Sequence, residues 1–226
     1  MTQPRYGSSG HYSGDAGERY FRVQTATAEP GVAIAATRFS KYIKDSDTVI
    51  DFGCGGGGIL AALNCRRRIG IEVNPTARAR AEARGVECYE SIEQLPDETA
   101  DVVISNHALE HVPSPIVALT TIRQKLRTGG TFVLCVPIDD WRVQKRYDMY
   151  DKNHHLHTWT PLLLGHTLAE AGFRPNPENI RVVTHAWLPF LSTTKNIRPK
   201  KLFDAFCWLW SVTRKRRQLF VVTVKS

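Results

Sequence analysis

Glycines crowd the segment VIDFGCGGGGIL (residues 49–60), and an acidic residue, Asp51, stands just before them within an apolar run. Glycine lets a backbone approach a bound ligand closely, and a helix that starts behind such a loop offers free N–H groups. Four successive glycines destabilise a helix start, so a turn that serves packing alone is the weaker explanation. The segment therefore predicts a ligand-binding loop.

Two classes of ligand fit this loop. Gly53-x-Gly55-x-x-Gly58 satisfies the dinucleotide fingerprint, whereas Asp51-x-Gly53-x-Gly55-x-Gly57 satisfies the pattern for S-adenosylmethionine. Glu72 ends the next apolar run and could accept hydrogen bonds from both ribose hydroxyls in either case. An acid inside the strand suits a cationic amino acid group better than a pyrophosphate. The pattern thus favours S-adenosylmethionine over NAD.

Histidines provide a second kind of chemistry. His111 lies in LEHVP, and a cluster with His155 lies in DMYDKNHHLHTW (residues 148–159). A histidine titrates near neutral pH and can remove a proton from a hydroxyl group, so both residues are candidate catalytic groups. Capping or loop-anchoring roles remain open for each of them. The loop spacing HHxH does not give the geometry of a metal site, and we predict no metal.

Strands and helices alternate along most of the chain. We expect strands at 47–53, 68–73, 86–90, 100–106 and 130–137, and helices at 29–44, 55–64, 75–84, 114–127 and 160–171. Strands that are apolar on both faces and alternate with helices are typical of an α/β fold with a parallel, Rossmann-like sheet and helices on both faces. Two further strands, 180–188 and 218–226, have no such crossover and fit an antiparallel pair.

Five landmarks carry a family resemblance: VIDFGCGGGG, GIEVNP, ESIEQLPDETADVVISNHALEHVPSP, LRTGGTFVLCVP and HLHTWTP…LAEAGF, within about residues 47–173. With these landmarks in this order, the chain resembles class I S-adenosylmethionine-dependent methyltransferases, in the broad small-molecule and lipid group (type 11/23-like). The resemblance implies a sheet of seven strands, mostly parallel, with an antiparallel last strand. It also implies S-adenosyl-L-methionine as cofactor and a methyltransferase domain over 29–226, preceded by a flexible arm over 1–28.

The same resemblance assigns roles to residues. Asp51, Gly53, Gly55 and Gly57 would line the methionine and ribose parts of the cofactor, and Glu72 would bind the ribose hydroxyls. Asn106, at the end of the fourth strand, would close the pocket near the methionine. The adenine would lie among three further residues: Val73, Ser91 and Ile92. Ser91 stands where the family usually has an acid, which is a departure from the pattern.

Charge is concentrated in one segment. The chain of 226 residues has a net charge of +8, and residues 195–217 hold eight basic residues and one acid. We expect residues 189–217 to be an insertion before the last strand. Its apolar stretch LFDAFCWLWSV (202–212) would form a helix that packs on the sheet or on a second copy, binds an anionic membrane, or binds nucleic acid.

The expected activity is methyl transfer from S-adenosylmethionine, with O-methylation of a small-molecule, sugar or lipid-linked acceptor. The alternatives are a non-catalytic cofactor-binding protein that uses its basic patch for a macromolecular partner, and a nucleic-acid methyltransferase. The segment ISNHAL, at the end of the fourth strand, lacks the Asn/Asp-Pro-Pro-aromatic run of methyltransferases that act on amino groups. This argues against a nucleic-acid methyltransferase. Scattered cysteines and the absence of a long apolar run predict a cytoplasmic protein, with peripheral membrane contact as an option.

Overall fold

The computed structural model describes residues 12, 17–18, 21, 32, 35–139, 144–148, 151, 153–184, 199–214 and 217–226. These residues include seven strands. Their bounds are β1 Thr48–Phe52, β2 Arg67–Ile71, β3 Glu87–Tyr89, β4 Ala100–Asn106, β5 Leu126–Ile138, β6 Ile180–Thr184 and β7 Arg217–Val224.

All seven strands belong to one sheet with the order β3-β2-β1-β4-β5-β7-β6. The pairs among β1 to β5 are parallel, whereas β7 runs antiparallel to both β5 and β6. The order reverses between β1 and β4, whose connections leave in opposite directions. Ligands of open parallel sheets bind at this switch point, outside the carboxyl ends of the strands. The predicted fold class is confirmed, including the antiparallel last pair.

Five helices have defined bounds: α1 Gly58–Ala61, α2 Pro75–Glu82, α3 Pro115–Lys125, α4 Pro161–Glu170 and α5 Lys200–Thr213. Residues 35–40 are also helical. The N-termini of α2 and α4 are capped by side chains: Asn74 accepts from the N–H of Thr76, and Thr160 accepts from the N–H of Leu163.

The core lies on both faces of the sheet because successive side chains of a strand point to opposite sides. Ile50 and Val103 belong to the cluster on one face, and Val49 and Ile104 belong to the cluster on the other. All four are fully buried. The continuous apolar runs that predicted β1 and β4 therefore reflect burial on two faces.

Two predicted helix bounds are wrong. The helix expected over 55–64 is only α1, because the glycines before Gly58 form a loop. The helix expected over 114–127 ends at Lys125, and Gly129 and Gly130 lie inside β5 instead of ending the helix. The pairing of β5 with β4 jumps from Leu126 to Thr131, so the glycine pair belongs to a bulge that pairs with Lys225.

The strands, and the helices expected over 75–84 and 160–171, lie where the sequence predicts them to within a few residues at each described end. The helix expected over 29–44 ends at residue 40, and residues 29–31 and 33–34 lie outside the described residues. Residues 185–188 of the expected strand 180–188 and most of the expected N-terminal arm lie outside the described residues. The arm and the domain bounds stay predictions. Among the helices that the structure describes, none combines the length and apolar character needed to cross a bilayer.

Candidate active site

The loop after β1 has a conformation that requires glycine. Gly53, Gly55 and Gly57 have φ angles of 80°, 52° and 72°, in the left-handed region. A Cβ on Gly53 would lie 2.3 Å from the Cβ of Ala108, and one on Gly57 would lie 2.7 Å from the Cβ of Ala81. The loop is therefore pressed against its neighbours, and its open side faces the carboxyl edge of the sheet.

Glu72 stands beside this loop, just after β2. Its carboxylate accepts hydrogen bonds of 2.9 Å from the backbone N–H groups of Gly55 and Asn74. Burial raises the pKa of Glu72, and the two N–H groups partly offset this effect. Because each carboxylate oxygen has a second lone pair, Glu72 can still accept from two hydroxyl groups. This arrangement fits the ribose of the predicted cofactor.

Asp51 is the most unusual group of the loop region. Its side chain is buried, and Oδ1 has no hydrogen-bond partner among the described residues. Burial, with a smaller contribution from the charge of Glu72, raises the pKa of Asp51 to about 8. A buried carboxyl without a partner is costly unless a ligand supplies one. A cationic group such as the ammonium of an amino acid would do so.

The three residues predicted to contact the adenine differ in burial. Val73 and Ser91 are half-buried, and the backbone N–H of Ser91 donates to the side chain of Gln94 in a capping box. Ile92, however, is fully buried in the core cluster that includes Ile71. Its side chain has no exposed surface in this structure. The adenine contacts of Val73, Ser91 and Ile92 stay predictions.

Beyond β4 the chain turns sharply at Asn106 and His107. Asn106 is half-buried at the strand end, and His107 has a φ of 56°. The backbone N–H of His107 donates to the carbonyl of Cys135 on β5, and its ring Nε2 accepts from the side-chain amide of Gln218 at 2.7 Å. The turn therefore fixes the residues that follow it against β5 and β7.

Glu110 lies at the centre of a histidine cluster. It is fully buried within the 3₁₀ turn Leu109–His111, and neither of its carboxylate oxygens has a hydrogen-bond partner among the described residues. Its Oε1 lies 3.6 Å from His107 Nδ1, 3.8 Å from His111 Nε2 and 4.0 Å from His155 Nε2. Burial raises the pKa of Glu110 to about 8. We name Glu110, His107, His111 and His155 the histidine cluster.

The orientation of His111 follows from its other nitrogen. Nδ1 lies 2.6 Å from the hydroxyl of Tyr12 and 3.3 Å from the carbonyl oxygen of His154. Because a carbonyl oxygen only accepts, we place the ring proton on Nδ1, which leaves the lone pair on Nε2. In this tautomer Nε2 can accept a proton from another molecule.

His155 is held in the same manner from the opposite side. Its Nδ1 donates to Asp139 at 2.7 Å, so Nε2 faces Glu110. Burial alone would lower the pKa of His155, but the hydrogen bond and charge of Asp139 outweigh it and raise the pKa. The ring centroids of His155 and His111 are 5.0 Å apart. The structure therefore brings the two predicted catalytic histidines together.

The acidic and histidine residues of the 148–159 loop do not converge on one point. Asp151 accepts from the backbone N–H of His154, and the Nε2 of His157 lies 2.9 Å from the carbonyl of Val112. His157 thus anchors the loop. Among the described residues, one group of three offers metal-ligand atoms within 4.8 Å of one another: Glu110, His111 and His155. We predicted no metal, and that prediction is untested.

Sequence reasoning missed the partners of these histidines. Tyr12 is 99 residues from His111 in the chain, and Asp139 follows β5 without any motif around it. Phe21 is buried, and its ring would lie 3.3 Å from a Cβ on Gly56. The described residues of the N-terminal segment therefore contact both the glycine loop and the histidine cluster. No signal in the sequence predicts this contact.

Comparison with known proteins agrees with this geometry. Residues 29–176 match the family model of a methyltransferase domain. The ubiquinone biosynthesis O-methyltransferase of Ruegeria sp. (strain TM1040) is 26% identical over 204 residues, which cover 79% of this chain and 72% of that protein. The methyltransferase ltbC of Aspergillus luteorubrus is 33% identical over 112 residues, but the match spans only 39% of either chain.

A solved structure shows the same fold. The SAM-dependent methyltransferase from Archaeoglobus fulgidus superposes with a TM-score of 0.63 at 19% identity, and the match covers 91% of this chain and 99% of that one. The family model covers well over half of the chain, from residue 29, before β1, to residue 176, beyond the end of α4. The chain therefore belongs to the methyltransferase domain family and is a class I S-adenosylmethionine-dependent methyltransferase.

Proposed function

We propose that the protein methylates a hydroxyl oxygen of a small-molecule, sugar or lipid-linked acceptor, and that His111 removes the hydroxyl proton. The observation that carries the proposal is the position of His111 Nε2, 3.8 Å from the buried carboxyl of Glu110 and at the same sheet edge as the glycine loop. The similarity to an O-methyltransferase of ubiquinone biosynthesis supports this acceptor chemistry.

Residues of the first two strand ends would hold the cofactor. Asp51 would meet the ammonium group, the glycine loop would lie along the methionine, and Glu72 would accept from the ribose hydroxyls. Val73 and Ser91 would flank the adenine, and Asn106 would close the methionine side. When bound, S-adenosylmethionine supplies a methyl group on a positively charged sulfur. Since methyl transfer is an in-line displacement, much of the rate comes from positioning.

His111 would act as the general base of this reaction. His111 Nε2 would accept the hydroxyl proton of the acceptor when the acceptor oxygen takes up the methyl group that the cofactor supplies. Glu110, 3.8 Å from that nitrogen, would stabilise the imidazolium once ionised. Tyr12 and the carbonyl of His154 keep the ring in the required tautomer. His155 is the second candidate because its Nε2 faces the same carboxylate.

Exposed apolar residues favour an acceptor with an apolar part. Helices α3 and α4 are the next helices after β4 and β5 in the chain, so we place their first turns at the carboxyl edge of the sheet. Large apolar side chains are exposed in those turns and in the loop between: Ile116, Val117, Leu156, Leu162 and Leu163. These side chains favour a lipid-linked or aromatic acceptor over a free sugar.

The test is a comparison of turnover and cofactor affinity. We expect His111→Ala to lower turnover by roughly 10²–10⁴-fold and to leave the affinity for S-adenosylmethionine unchanged. His166→Ala, an exposed histidine on α4, is the matched control and should change neither. If His111→Ala keeps nearly normal turnover, the base is His155 or there is none.

The cofactor assignment has its own test by calorimetry. NADH should not bind, and Glu72→Ala should weaken S-adenosylmethionine binding by ~1.5–3 kcal/mol.

The two alternatives give different results in an acceptor screen. Phenols, sugars, lipid carriers and RNA should be offered with a cofactor that carries a labelled methyl group. Transfer to a hydroxyl compound supports the proposal, and transfer to RNA supports a nucleic-acid methyltransferase. Binding of the cofactor without transfer to any acceptor would favour a non-catalytic protein.

A further inference from the structure

Helix α5, Lys200–Thr213, has an unusual distribution of apolar side chains. Three residues spaced four apart, Phe203, Cys207 and Ser211, are buried and form the inner face, and the helix contacts β6. This inner stripe would be sufficient to attach the helix to the sheet. The rest of the helix surface is accordingly available to water or to a partner.

The outer face of α5 is apolar instead of charged. Five large apolar side chains are exposed: Leu202, Phe206, Trp208, Leu209 and Val212. At 100° per residue they cover roughly half of the helix circumference. Trp208 is 57% exposed and Leu209 is 51% exposed. A helix on a protein surface normally turns polar residues outward, so an apolar face of this size indicates a binding surface.

Basic residues stand at both ends of this face. Lys200 and Lys201 begin the helix, and the run Arg214 to Arg217 follows it, while Asp204 is the sole acid between residues 195 and 217. The Arg214 guanidinium lies 5.0 Å from the centroid of the Trp210 ring. The helix is about 21 Å long at 1.5 Å per residue, shorter than the roughly 30 Å of a bilayer core. It could lie in a membrane surface but could not cross one.

We propose that the outer face of α5 binds the surface of an anionic lipid membrane. Leu202, Phe206 and Leu209 would enter the boundary between headgroups and acyl chains, with Trp208 at headgroup level. The basic residues at both ends of the helix would contact lipid phosphates. A neutral surface would satisfy the apolar face but not these charges, so the charge pattern selects anionic lipid.

A second copy of the chain fits this surface less well. In a two-fold symmetric pairing of antiparallel α5 helices, the Lys200–Lys201 end would meet the Arg214–Arg217 end of the other copy. Like charges would then face each other at both ends, with Asp204 as the nearest acid in each helix. Nucleic acid also fits less well, because Leu202, Leu209 and Val212 offer neither hydrogen bonds nor rings for stacking.

The position of α5 connects this surface with the site. Strand β7 begins at Arg217, four residues after α5 ends at Thr213, and Arg217 pairs with Ile138 at the carboxyl end of β5. The next residue, Gln218, donates to His107 in the histidine cluster. A membrane-bound α5 would therefore hold the acceptor side of the pocket near lipid headgroups. This last statement depends on the proposed function, whereas membrane binding itself does not.

Vesicle sedimentation of the full chain tests the proposal. We expect binding to vesicles of phosphatidylcholine with phosphatidylglycerol, loss of binding when phosphatidylglycerol is omitted, and a steep decrease with added salt. Phe206→Glu with Leu209→Glu should abolish binding. Val224→Glu is the matched control, since Val224 is 50% exposed at the opposite edge of the sheet, and it should bind as before. Lys201→Glu should weaken binding at least about fivefold.

Cofactor affinity, measured in parallel, shows whether each variant is folded and separates this proposal from the proposed function. Unchanged vesicle binding of the folded Phe206→Glu, Leu209→Glu variant would overturn the proposal, as would equal binding to neutral vesicles. A dimer in solution that this variant dissociates, together with no vesicle binding, would assign the face to a second copy. Binding of a short RNA without vesicle binding would also refute membrane binding by α5.

Discussion

Replacing Asp51 with Asn should stabilise the protein without ligand and weaken its hold on the cofactor. The pKa of Asp51 rises from its ordinary 3.8 to about 8 because the carboxyl is buried. At pH 7 the unfolded chain ionises this group freely, whereas the folded chain keeps it protonated. Each pKa unit corresponds to about 1.4 kcal/mol, so the interval from 3.8 to pH 7 costs ~4 kcal/mol of the free energy of unfolding.

The sign of the pH dependence follows from the direction of the shift. Because the folded pKa of Asp51 is raised, stability decreases as the pH rises from about 4 towards 8. Asn is neutral at every pH and has nearly the same shape. We therefore expect Asp51→Asn to raise the free energy of unfolding by up to ~4 kcal/mol at pH 7, with little effect near pH 4.

Cofactor binding should change in the opposite direction. Loss of a charge-assisted hydrogen bond to the ammonium group costs about 1.5–3 kcal/mol, or roughly 10- to 100-fold in affinity. The affinity of the natural protein should increase with pH up to about 8, because Asp51 must lose its proton to pair with the ammonium. In the Asp51→Asn variant this pH dependence should disappear.

Urea unfolding at pH 4.5 and pH 7 measures the change in stability, and calorimetry with S-adenosylmethionine over pH 6–9 measures the change in cofactor affinity. The exposed Asp45, in the loop before β1, provides Asp45→Asn as a control that should change neither quantity. A less stable Asp51→Asn protein with normal cofactor affinity would refute the reasoning, because a buried acid that awaits a cation must produce both effects.

Three further predictions concern the histidine cluster. Turnover should increase with pH up to about pH 8 as Glu110 ionises. Glu110→Gln should remove this increase and lower turnover at pH 8 by roughly tenfold, and a pH–rate profile measures both effects. Tyr12→Phe should lower turnover less than His111→Ala and leave the cofactor affinity nearly unchanged, measured by steady-state kinetics and calorimetry. Removing divalent cations with a chelator should not change turnover; a loss that a divalent cation restores would show instead that Glu110, His111 and His155 bind a metal.

Local patterns predicted the strands and helices well where burial and capping decide them. The expected strand 100–106 has the bounds of β4, because five of its seven residues are buried and the apolar run Val102–Val103–Ile104 packs on both faces of the sheet. The glycine pair before the fifth strand misled the same reasoning. Glycines end helices and also form bulges, and the choice between them depends here on pairing with Lys225, nearly a hundred residues away in the chain.

The candidate site was predictable only in part for a related reason. The glycine loop, Glu72 and His111 follow strand ends, so topology alone brings them to one edge of the sheet. The burial of Glu110 and the contact of Tyr12 with His111 depend on packing between distant segments. The full burial of Ile92 also depends on packing, because an apolar residue after a strand end can face either a ligand or the core.

Two buried carboxyls, Asp51 and Glu110, lie near the ends of neighbouring strands, and burial opposes the ionisation of both. Asp51 lies in β1 and Glu110 follows β4, and in both the pKa rises to about 8 because burial opposes ionisation. Each has at least one buried oxygen without a hydrogen-bond partner among the described residues. A folded domain has only about 5–15 kcal/mol of stability, so two such groups are a large cost for a protein that never binds a cation there. The proposed reaction supplies two positive charges in turn, the ammonium of the cofactor beside Asp51 and an imidazolium beside Glu110. Each charge would form an ion pair with a carboxyl that destabilises the protein when no ligand is bound. The ion pair at Asp51 would increase cofactor affinity, and the ion pair at Glu110 would increase the rate of methyl transfer.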